Sequence, residues 1–409
     1  MTAKQTLQPK LRFPEFDGDW EGKKLSDVSD ISSGGTPSRS EESFWNGSIP
    51  WVSTSLIDFN IICKADEYIT EKGLKNSSAK LFPKGSLLMA MYGQGKTRGK
   101  ISVLGIDAST NQACGVIVPN QLLVNNWFLF QNLSGRYDEI RDLSNQGGQE
   151  NLSSGIIKDI NVFFPFLEEQ KKIANFLSSI DEKINLLKEK KALLEEYKKG
   201  MMQKIFNQEI RFKDDNGNDF EDWEEKTLGE ICVKAQSGGT PKSTNRNYYD
   251  GNIPFLSISD MTKQGKFINY TSNKISKDGL KNSSTWVVPV NSIIYSMYAS
   301  VGFVAINKIP LATSQAVLNL VLNENICIEY VYYFLLDFQK YLAEYITTGT
   351  QGNLNAQTVK GFNISLPTYK EQTKIANFLS SIDEKIALVA TQIKDTQEYK
   401  KGLLQQMFI

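Results

Sequence analysis

The sequence contains no histidine, and this absence excludes several kinds of site at once. Without imidazole, the chain cannot form a Ser-His-Asp or Cys-His catalytic group or a histidine-based zinc site, and it lacks the commonest general base. The sequence has only four cysteines and no CxxC pair among them, which favours reduced thiols in a cytosolic protein. No apolar run is long enough to span a bilayer, and the N-terminus has no apolar signal region. We therefore expect a soluble cytoplasmic chain, and the missing histidine disfavours an enzyme.

An excess of charge of either sign is also absent. The chain has 46 basic and 46 acidic residues, so its formal net charge is zero. Nucleic-acid-binding domains are commonly basic overall, so such a function would have to depend on local clusters of charge. The apolar content of 40% is typical of a globular chain, and 409 residues exceed one ordinary core. The composition therefore predicts two or more globular domains.

What the sequence does contain is a long internal repeat. The thirteen residues KIANFLSSIDEKI occur at 172–184 and again at 374–386. Apolar residues in and after each copy recur with the 4-3-4-3 spacing of a coiled coil, which predicts a helix of about 36 residues and about 54 Å in each repeat. Lys198 and Lys400 interrupt this pattern at equivalent positions, and polar residues at such positions fix register and partner. The residues predicted to pack helix against helix are Ile173, Leu177, Ile180, Ile184, Leu187, Ile375, Leu379, Ile382, Ile386 and Val389.

The segments outside the two helices repeat each other as well. SGGTP occurs at 33–37 and 237–241, and GLKNSS at 73–78 and 279–284. We therefore interpret the chain as a tandem duplication with four consecutive parts. These parts are a globular domain at 1–163, a long helix at 164–208, a second globular domain at 209–365 and a second long helix at 366–409.

Each globular part has the sequence pattern expected of an α/β (α+β) domain. Short apolar runs between turn residues predict strands, and one helical stretch follows them in each repeat. The predicted strands lie within 87–92, 101–106, 113–118, 292–298, 303–306 and 317–322, and the predicted helices within 124–133 and 328–346. We assign Trp51, Phe255, Met91 and Met297 to the cores. Two like halves can be related by a pseudo-twofold axis, as in a dimer.

The segment from Lys72 to Lys100 is the strongest candidate for an electrostatic surface. It contains seven basic residues and no acidic one, a composition that suits phosphate neutralisation. Lysines that protect a solvated strand edge would give the same pattern. Residues 90–97 also resemble the end of a P-loop, but Ala90 replaces the first glycine, which disfavours nucleotide binding.

The SGGTP segments and the Asn- and Gln-rich loops are further candidates. Paired glycines permit a close approach of the backbone to a ligand, and Arg and Asn side chains suit guanine and adenine edges. A plain turn explains a Gly-Gly-Thr-Pro segment equally well. The complete set of candidate DNA-binding residues is Ser33, Gly34, Gly35, Thr36, Arg39, Gln94, Lys96, Arg98, Lys100, Gln149, Ser237, Gly238, Gly239, Thr240, Lys242, Asn245, Arg246, Tyr298, Ser300, Gln351 and Asn353.

The repeated helices carry the pattern EQ-x-x-I-x-x-x-L-x-x-x-D-x-x-I. It begins at Glu169 in the first repeat and at Glu371 in the second. With this pattern closing two variable segments, the sequence resembles the specificity subunit of Type I restriction-modification systems over nearly its whole length. The resemblance implies two target recognition domains, each reading half of a split, asymmetric DNA sequence, and two antiparallel helices that set the spacer between the halves.

The same resemblance implies partners. Two modification subunits would dock on this chain and methylate adenine with S-adenosylmethionine, and restriction subunits would add ATP-driven translocation and cleavage. The chain itself would bind neither cofactor, hold no metal and carry no catalytic residue. Two other hypotheses stay open from the residues alone: a coiled-coil scaffold whose domains bind protein or carbohydrate, and a P-loop enzyme.

Overall fold

The computed structural model describes residues 7–93, 96–145, 151–345 and 353–409. Contacts divide the chain into two compact units. Unit 1 comprises Met1–Lys188 and Thr391–Ile409, and unit 2 comprises Glu189–Ala390. Each unit therefore contains one globular part together with segments of both long helices. The four consecutive parts expected from the sequence, with their limits, stay a prediction.

Unit 1 is built on a five-stranded sheet and a four-stranded sheet. The larger sheet has, in spatial order, the strands Ser29–Ser33, Cys114–Pro119, Leu87–Ala90, Ile101–Leu104 and Ile61–Ile62. The smaller has Glu67–Ile69, Trp45–Val52, Ala108–Thr110 and Leu81–Phe82. A separate antiparallel pair joins Glu21–Lys24 to Asn161–Phe164. The short helices are Leu25–Val28, Glu71–Lys75, Asn126–Gly135, Tyr137–Asp142 and Ser154–Lys158.

Unit 2 repeats this topology, except that its second sheet has three strands instead of four. Its five-stranded sheet has the order Cys232–Ser237, Val317–Leu322, Ile293–Ser296, Val304–Asn307 and Phe267–Ile268. Its second sheet has Asn273–Ile275, Ile253–Leu256 and Ala312–Thr313, and Glu224–Thr227 pairs with Asn363–Leu366. The short helices are Ile258–Gln264, Lys277–Lys281, Ile328–Phe338, Leu342–Tyr345 and Ala356–Lys360.

The structure confirms the predicted α/β character and the internal repeat. Each of the six apolar runs proposed as a strand overlaps one, and these strands are mostly buried because both faces of each large sheet are covered. Trp51, Met91, Phe255 and Met297 are buried in the cores, as predicted. The apolar pattern was therefore sufficient to locate the central strands.

The two long helices extend beyond their predicted length. They span Leu167–Phe206 and Tyr369–Met407, or 40 and 39 residues. Both continue through an internal glycine, Gly200 or Gly402, although glycine costs about 1 kcal/mol relative to alanine in a helix. Neither these nor any other helix in the described ranges has the length and apolar character needed to cross a membrane.

The predicted packing positions of the long helices are mainly buried, but they serve two purposes. Eight of the ten are buried, whereas Leu187 and Ile386 are half-buried. In unit 1, Ile173 and Leu177 belong to one apolar cluster with Trp20 of the globular part. Leu403 and Met407 of the second long helix, with Phe408 just after it, complete the same cluster. These positions therefore pack against the globular part as well as against the other helix.

An equivalent ion pair joins the two long helices in each unit. Lys400 Nζ lies 2.6 Å from Asp181 Oδ1 in unit 1, and Lys198 Nζ lies 2.6 Å from Asp383 Oδ1 in unit 2. Each pair places the N-terminal part of one helix beside the C-terminal part of the other, as in an antiparallel pair. The lysines that interrupt the apolar pattern thus have defined partners.

The start of each long helix is anchored by a buried glutamate and glutamine. In unit 1, Arg12 donates Nε and Nη2 to the two Glu169 carboxylate oxygens, each over 2.8 Å. The Gln170 side chain accepts the Asn125 N–H over 2.8 Å and donates to the Pro165 carbonyl over 2.8 Å. Because the carboxylate accepts hydrogen bonds from the guanidinium, Glu169 raises the pKa of Arg12. These contacts fix the helix start to the globular part.

Unit 2 has the same anchor with one more donor. Arg211 contacts both oxygens of the buried Glu371, and Trp223 Nε1 donates to that carboxylate over 3.1 Å. Gln372 accepts the Cys327 N–H and donates to the Pro367 carbonyl, each over 2.8 Å. The Glu-Gln pair of the repeated pattern therefore has a structural role in both units.

We predict that Glu169→Ala will lower the free energy of unfolding of unit 1 by roughly 3 kcal/mol, because it leaves the Arg12 guanidinium without its carboxylate. Urea denaturation monitored by tryptophan fluorescence measures this loss. The neighbouring Glu168 is exposed on the same helix turn, so Glu168→Ala is the matched control and should change stability by less than about 0.5 kcal/mol. Equal stability of the two variants would contradict the anchoring role.

Candidate nucleic-acid interface

In each unit, several loops meet at one end of the strands of the five-stranded sheet. In unit 1 the strand Ser29–Ser33 ends in this region and the strand Cys114–Pro119 begins there, since Ser33 lies opposite Gly115. The Met91 N–H donates to the Ala113 carbonyl over 2.9 Å, and the Met91 carbonyl accepts the Leu152 N–H over 3.0 Å. Loops far apart in the sequence are thereby joined; we call this region the loop edge of unit 1.

The loop edge of unit 2 has the same hydrogen bonds. The Met297 N–H donates to the Ala316 carbonyl over 2.8 Å, and the Met297 carbonyl accepts the Leu354 N–H over 3.0 Å. Ser237 and Ser296 lie opposite neighbouring residues of the strand Val317–Leu322 and mark the same edge. The repeated sequence motifs thus build one arrangement twice.

The paired glycines at these edges are explained by packing inside the protein. A Cβ on Gly34 would lie 2.1 Å from the Thr110 carbonyl oxygen, and one on Gly238 would lie 1.9 Å from the Thr313 carbonyl oxygen. A Cβ on the second glycine of each pair, Gly35 or Gly239, would come similarly close to Ser78 or Ser284. The glycines let neighbouring loops approach, so they give no evidence of a ligand.

The polar residues that follow the glycines are largely engaged within the protein. Thr36 and Thr240 donate their hydroxyls to Gln112 and Gln315, the latter over 2.7 Å. Ser33 and Ser237 are half-buried strand ends. These hydroxyls shape the turns, and their predicted role toward DNA stays a prediction.

Arg39 is held by an acidic partner. Its guanidinium donates to both Glu67 carboxylate oxygens, lies 3.8 Å from the centroid of the Trp45 ring, and lowers the pKa of Glu67. A cleft lined by Arg39, Trp45 and Tyr68 opens beside this pair. Both members of the ion pair are about half exposed, so screening by solvent weakens it.

The acid-free segment of the sequence is not free of acids in space. Lys100 Nζ lies 2.6 Å from Asp58, which lies 42 residues earlier in the chain, and the Lys84 N–H donates to Asp107 over 2.7 Å. Arg98 is half-buried, with Nε unpartnered among the described residues. Lys96 is exposed and has no acidic partner in the part of the chain that the structure describes. Lys96, Arg98 and Lys100 therefore do not form one uniform row.

The loop edge of unit 2 has a different set of side chains. Lys242 and Arg246 are exposed, whereas the Asn245 side chain accepts the Asn247 N–H over 3.2 Å and so caps a short helical turn. Tyr298 and Ser300 are exposed.

Four candidates remain, and the structure describes only one of them. Asn353 is half-buried. Gln94, Gln149 and Gln351 lie outside the described residues.

Three kinds of chemical site lack geometric support in the part of the chain that the structure describes: a P-loop, a metal site and a reactive thiol. After Thr97 the chain enters the strand Ile101–Leu104, whereas a P-loop would continue into a helix. Within the described ranges, no three His, Cys, Asp or Glu side chains are grouped to hold a metal. Burial raises the pKa of the Cys114 thiol to about 12, so this thiol stays protonated at neutral pH.

One exposed aromatic residue at the loop edge, Tyr92, is not among the residues predicted from the sequence. Tyr92 follows Met91 as Tyr298 follows Met297, and its side chain is 43% exposed. The internal repeat points to Tyr92, because Met91-Tyr92 and Met297-Tyr298 occur at equivalent positions in the sequence.

Comparison with known proteins gives a family for both repeats. The family described as Type I restriction modification DNA specificity domain matches residues 17–196 and 220–397. The chain is 25% identical to the Type I restriction enzyme MjaIX specificity subunit of Methanocaldococcus jannaschii, over 95% of this chain and 92% of that protein.

Solved structures show the same fold over nearly the whole chain. The S subunit of a Type I restriction-modification system from M. genitalium superposes with a TM-score of 0.59 and 17% identity, covering 98% of this chain and 99% of that one. A second chain, from a structural study of complex assembly in the type I R-M system, gives a TM-score of 0.61 at 18% identity, with 95% and 97% covered.

Proposed function

Because the chain belongs to the Type I restriction modification DNA specificity family, we propose that it recognises a bipartite, asymmetric DNA sequence as the specificity subunit of such a complex. The observation that carries this proposal is the family domain occurring twice, once on each repeated globular part. Each domain would read one half of the target. The spacing between the halves would depend on the long helices.

The two loop edges support recognition of unlike half-sites. Their backbone arrangement is the same, since Met91 and Met297 make equivalent hydrogen bonds. Their side chains differ, with Lys96 and Arg98 at the edge of unit 1 where unit 2 has Ser300 and its neighbours. A shared scaffold with different side chains suits two domains that bind the same kind of ligand and distinguish its sequence.

Exposed apolar side chains on the long helices support docking of partner subunits. Unit 1 exposes 58% of Leu186 and 57% of Tyr399, and unit 2 exposes 60% of Leu388 and 51% of Tyr197 at the equivalent positions. Exposed large apolar residues that recur in both units are consistent with a partner present in two copies. We propose that two modification subunits bind here and that restriction subunits join through them.

We further propose that the chain performs no chemistry. The sequence has no histidine to serve as a general base, and the relatives that it matches are specificity subunits. S-adenosylmethionine and ATP would then be bound by the modification and restriction subunits. The proposed location of the complex is the cytoplasm.

Selection of bound duplexes from a random DNA pool tests the proposed function. The full chain is co-expressed with its modification subunit, and the purified complex is used for the selection. We expect a split motif with a fixed gap between two different halves. A folded complex that enriches no motif would overturn DNA recognition and favour a scaffold that binds other macromolecules.

We predict that Lys96→Ala will weaken duplex binding by the complex. Because one phosphate contact is lost, the negative slope of log K against log salt should become less steep by about 1. Titrations at several salt concentrations measure this slope. Lys64 is also exposed but follows the strand Ile61–Ile62 at the opposite end of the sheet, so Lys64→Ala is the control and should leave the slope unchanged. The same slope in both variants would remove Lys96 from the interface.

Lengthening the helices tests their role in the spacing. Seven residues inserted after Ile184 and also after Ile386 preserve the coiled-coil period and keep both Asp–Lys pairs, because each insertion lies between the aspartate and the lysine of its helix. The insertion adds about 10 Å of helix, or about three base pairs of DNA. We expect selection to return the same half-sites with a longer gap, and an unchanged gap would contradict this role.

A further inference from the structure

Tyr92 and Tyr298 occupy the same place at the two loop edges. Each lies two residues beyond a central strand of its sheet, Leu87–Ala90 or Ile293–Ser296. The residue before each, Met91 or Met297, is buried and bonded through its backbone to a loop on either side. An aromatic side chain therefore stands where the loops of each edge meet, and both tyrosines are exposed, by 43% and 37%.

The backbone after Tyr298 is held in a sharply bent conformation. Ala299 and Ser300 have φ values of +36° and +57°, which residues other than glycine rarely adopt. The buried Ser296 hydroxyl lies 2.6 Å from the Tyr298 carbonyl oxygen and 2.9 Å from that of Ala299. The Gln339 side chain donates to the Gly302 carbonyl over 2.8 Å and fixes the far end of the turn. Both ends of the turn are thus fixed before any ligand binds.

The corresponding segment of unit 1 is fixed at its far end by the same part of the fold. The Tyr137 hydroxyl donates to the Lys96 carbonyl over 2.6 Å, and the Gly99 N–H donates to the Ala90 carbonyl over 2.9 Å. The segment is longer than in unit 2, because the equivalent hydrogen bond there joins Gly302 to Ser296. The tyrosine is common to both edges, and the residues after it differ in number and charge.

We infer that Tyr92 and Tyr298 are equivalent base-contacting residues, each one determining preference at a position within its own half-site. This inference rests on the proposed function. A tyrosine has few rotatable bonds and a large contact area, so it loses little entropy when an already ordered backbone presents it to a groove. Its ring contacts the apolar edge of a base pair, such as a thymine methyl group, and its hydroxyl can hydrogen-bond a neighbouring acceptor.

The test compares Tyr92→Ala and Tyr298→Ala in the full chain with its modification subunit, by selection from a random duplex pool. Each variant should lose preference at one or two adjacent positions, by roughly tenfold or more for the favoured base. The two variants should affect different halves, and the gap should stay unchanged. Tyr270 is 53% exposed and follows the strand Phe267–Ile268 beyond the opposite end of the sheet. Tyr270→Ala should therefore return the wild-type motif.

The outcomes separate this inference from the proposed function. If the wild-type complex selects a split motif and both alanine variants select the same motif, the inference is wrong and the function stands. The inference is also wrong if both variants bind more weakly with unchanged base preference, since the tyrosines would then contact only the DNA backbone. If the wild-type complex selects no motif, the function itself fails. Should an alanine variant not assemble, Tyr92→Leu and Tyr298→Leu remove the ring and hydroxyl while keeping most of the volume.

Discussion

The structure depends on a buried carboxylate at the beginning of each long helix. Glu169 and Glu371 are removed from solvent, and each needs its arginine because an unpaired charge in the interior is strongly unfavourable. Arg12 and Arg211 lie in the segments that precede the first strands, so each pair joins the two ends of a globular part. The glutamine that follows bonds the backbone of a third segment. The orientation of each helix on its globular part is therefore specified by polar groups with fixed geometry, beyond what apolar contact alone would give.

The loop edges use a different principle from the helix anchors. Their repeated contacts are made by backbone groups and by glycines that permit close approach, so side chains at the surface can change without disturbing the scaffold. This explains why the two edges share Met91 and Met297 yet differ in the residues around them. Recognition surfaces that vary on a constant frame need this separation between groups that hold the backbone and groups that face outward.

Much of the fold could be predicted from the sequence, because the signals were local. The apolar spacing predicted the long helices, and its interruption at Lys198 and Lys400 indicated the residues that fix register. The central strands followed from short apolar runs. The candidate site was less accessible, because its electrostatics depend on contacts between distant residues. Asp58 reaches Lys100 and Glu67 reaches Arg39 only after the strands pair, and neither contact leaves a pattern in the sequence.

The paired aspartate and lysine of the long helices have a consequence for how such a chain can change over generations. Each helix carries both members of the pattern, Asp181 with Lys198 and Asp383 with Lys400, and offers them to the other helix. A genetic crossover within the identical thirteen-residue segments would exchange one globular part and still leave every aspartate with a lysine. The ion pairs between the helices therefore do not depend on which globular part each helix follows. New combinations of binding surfaces can arise by recombination, without a compensating mutation in the helices.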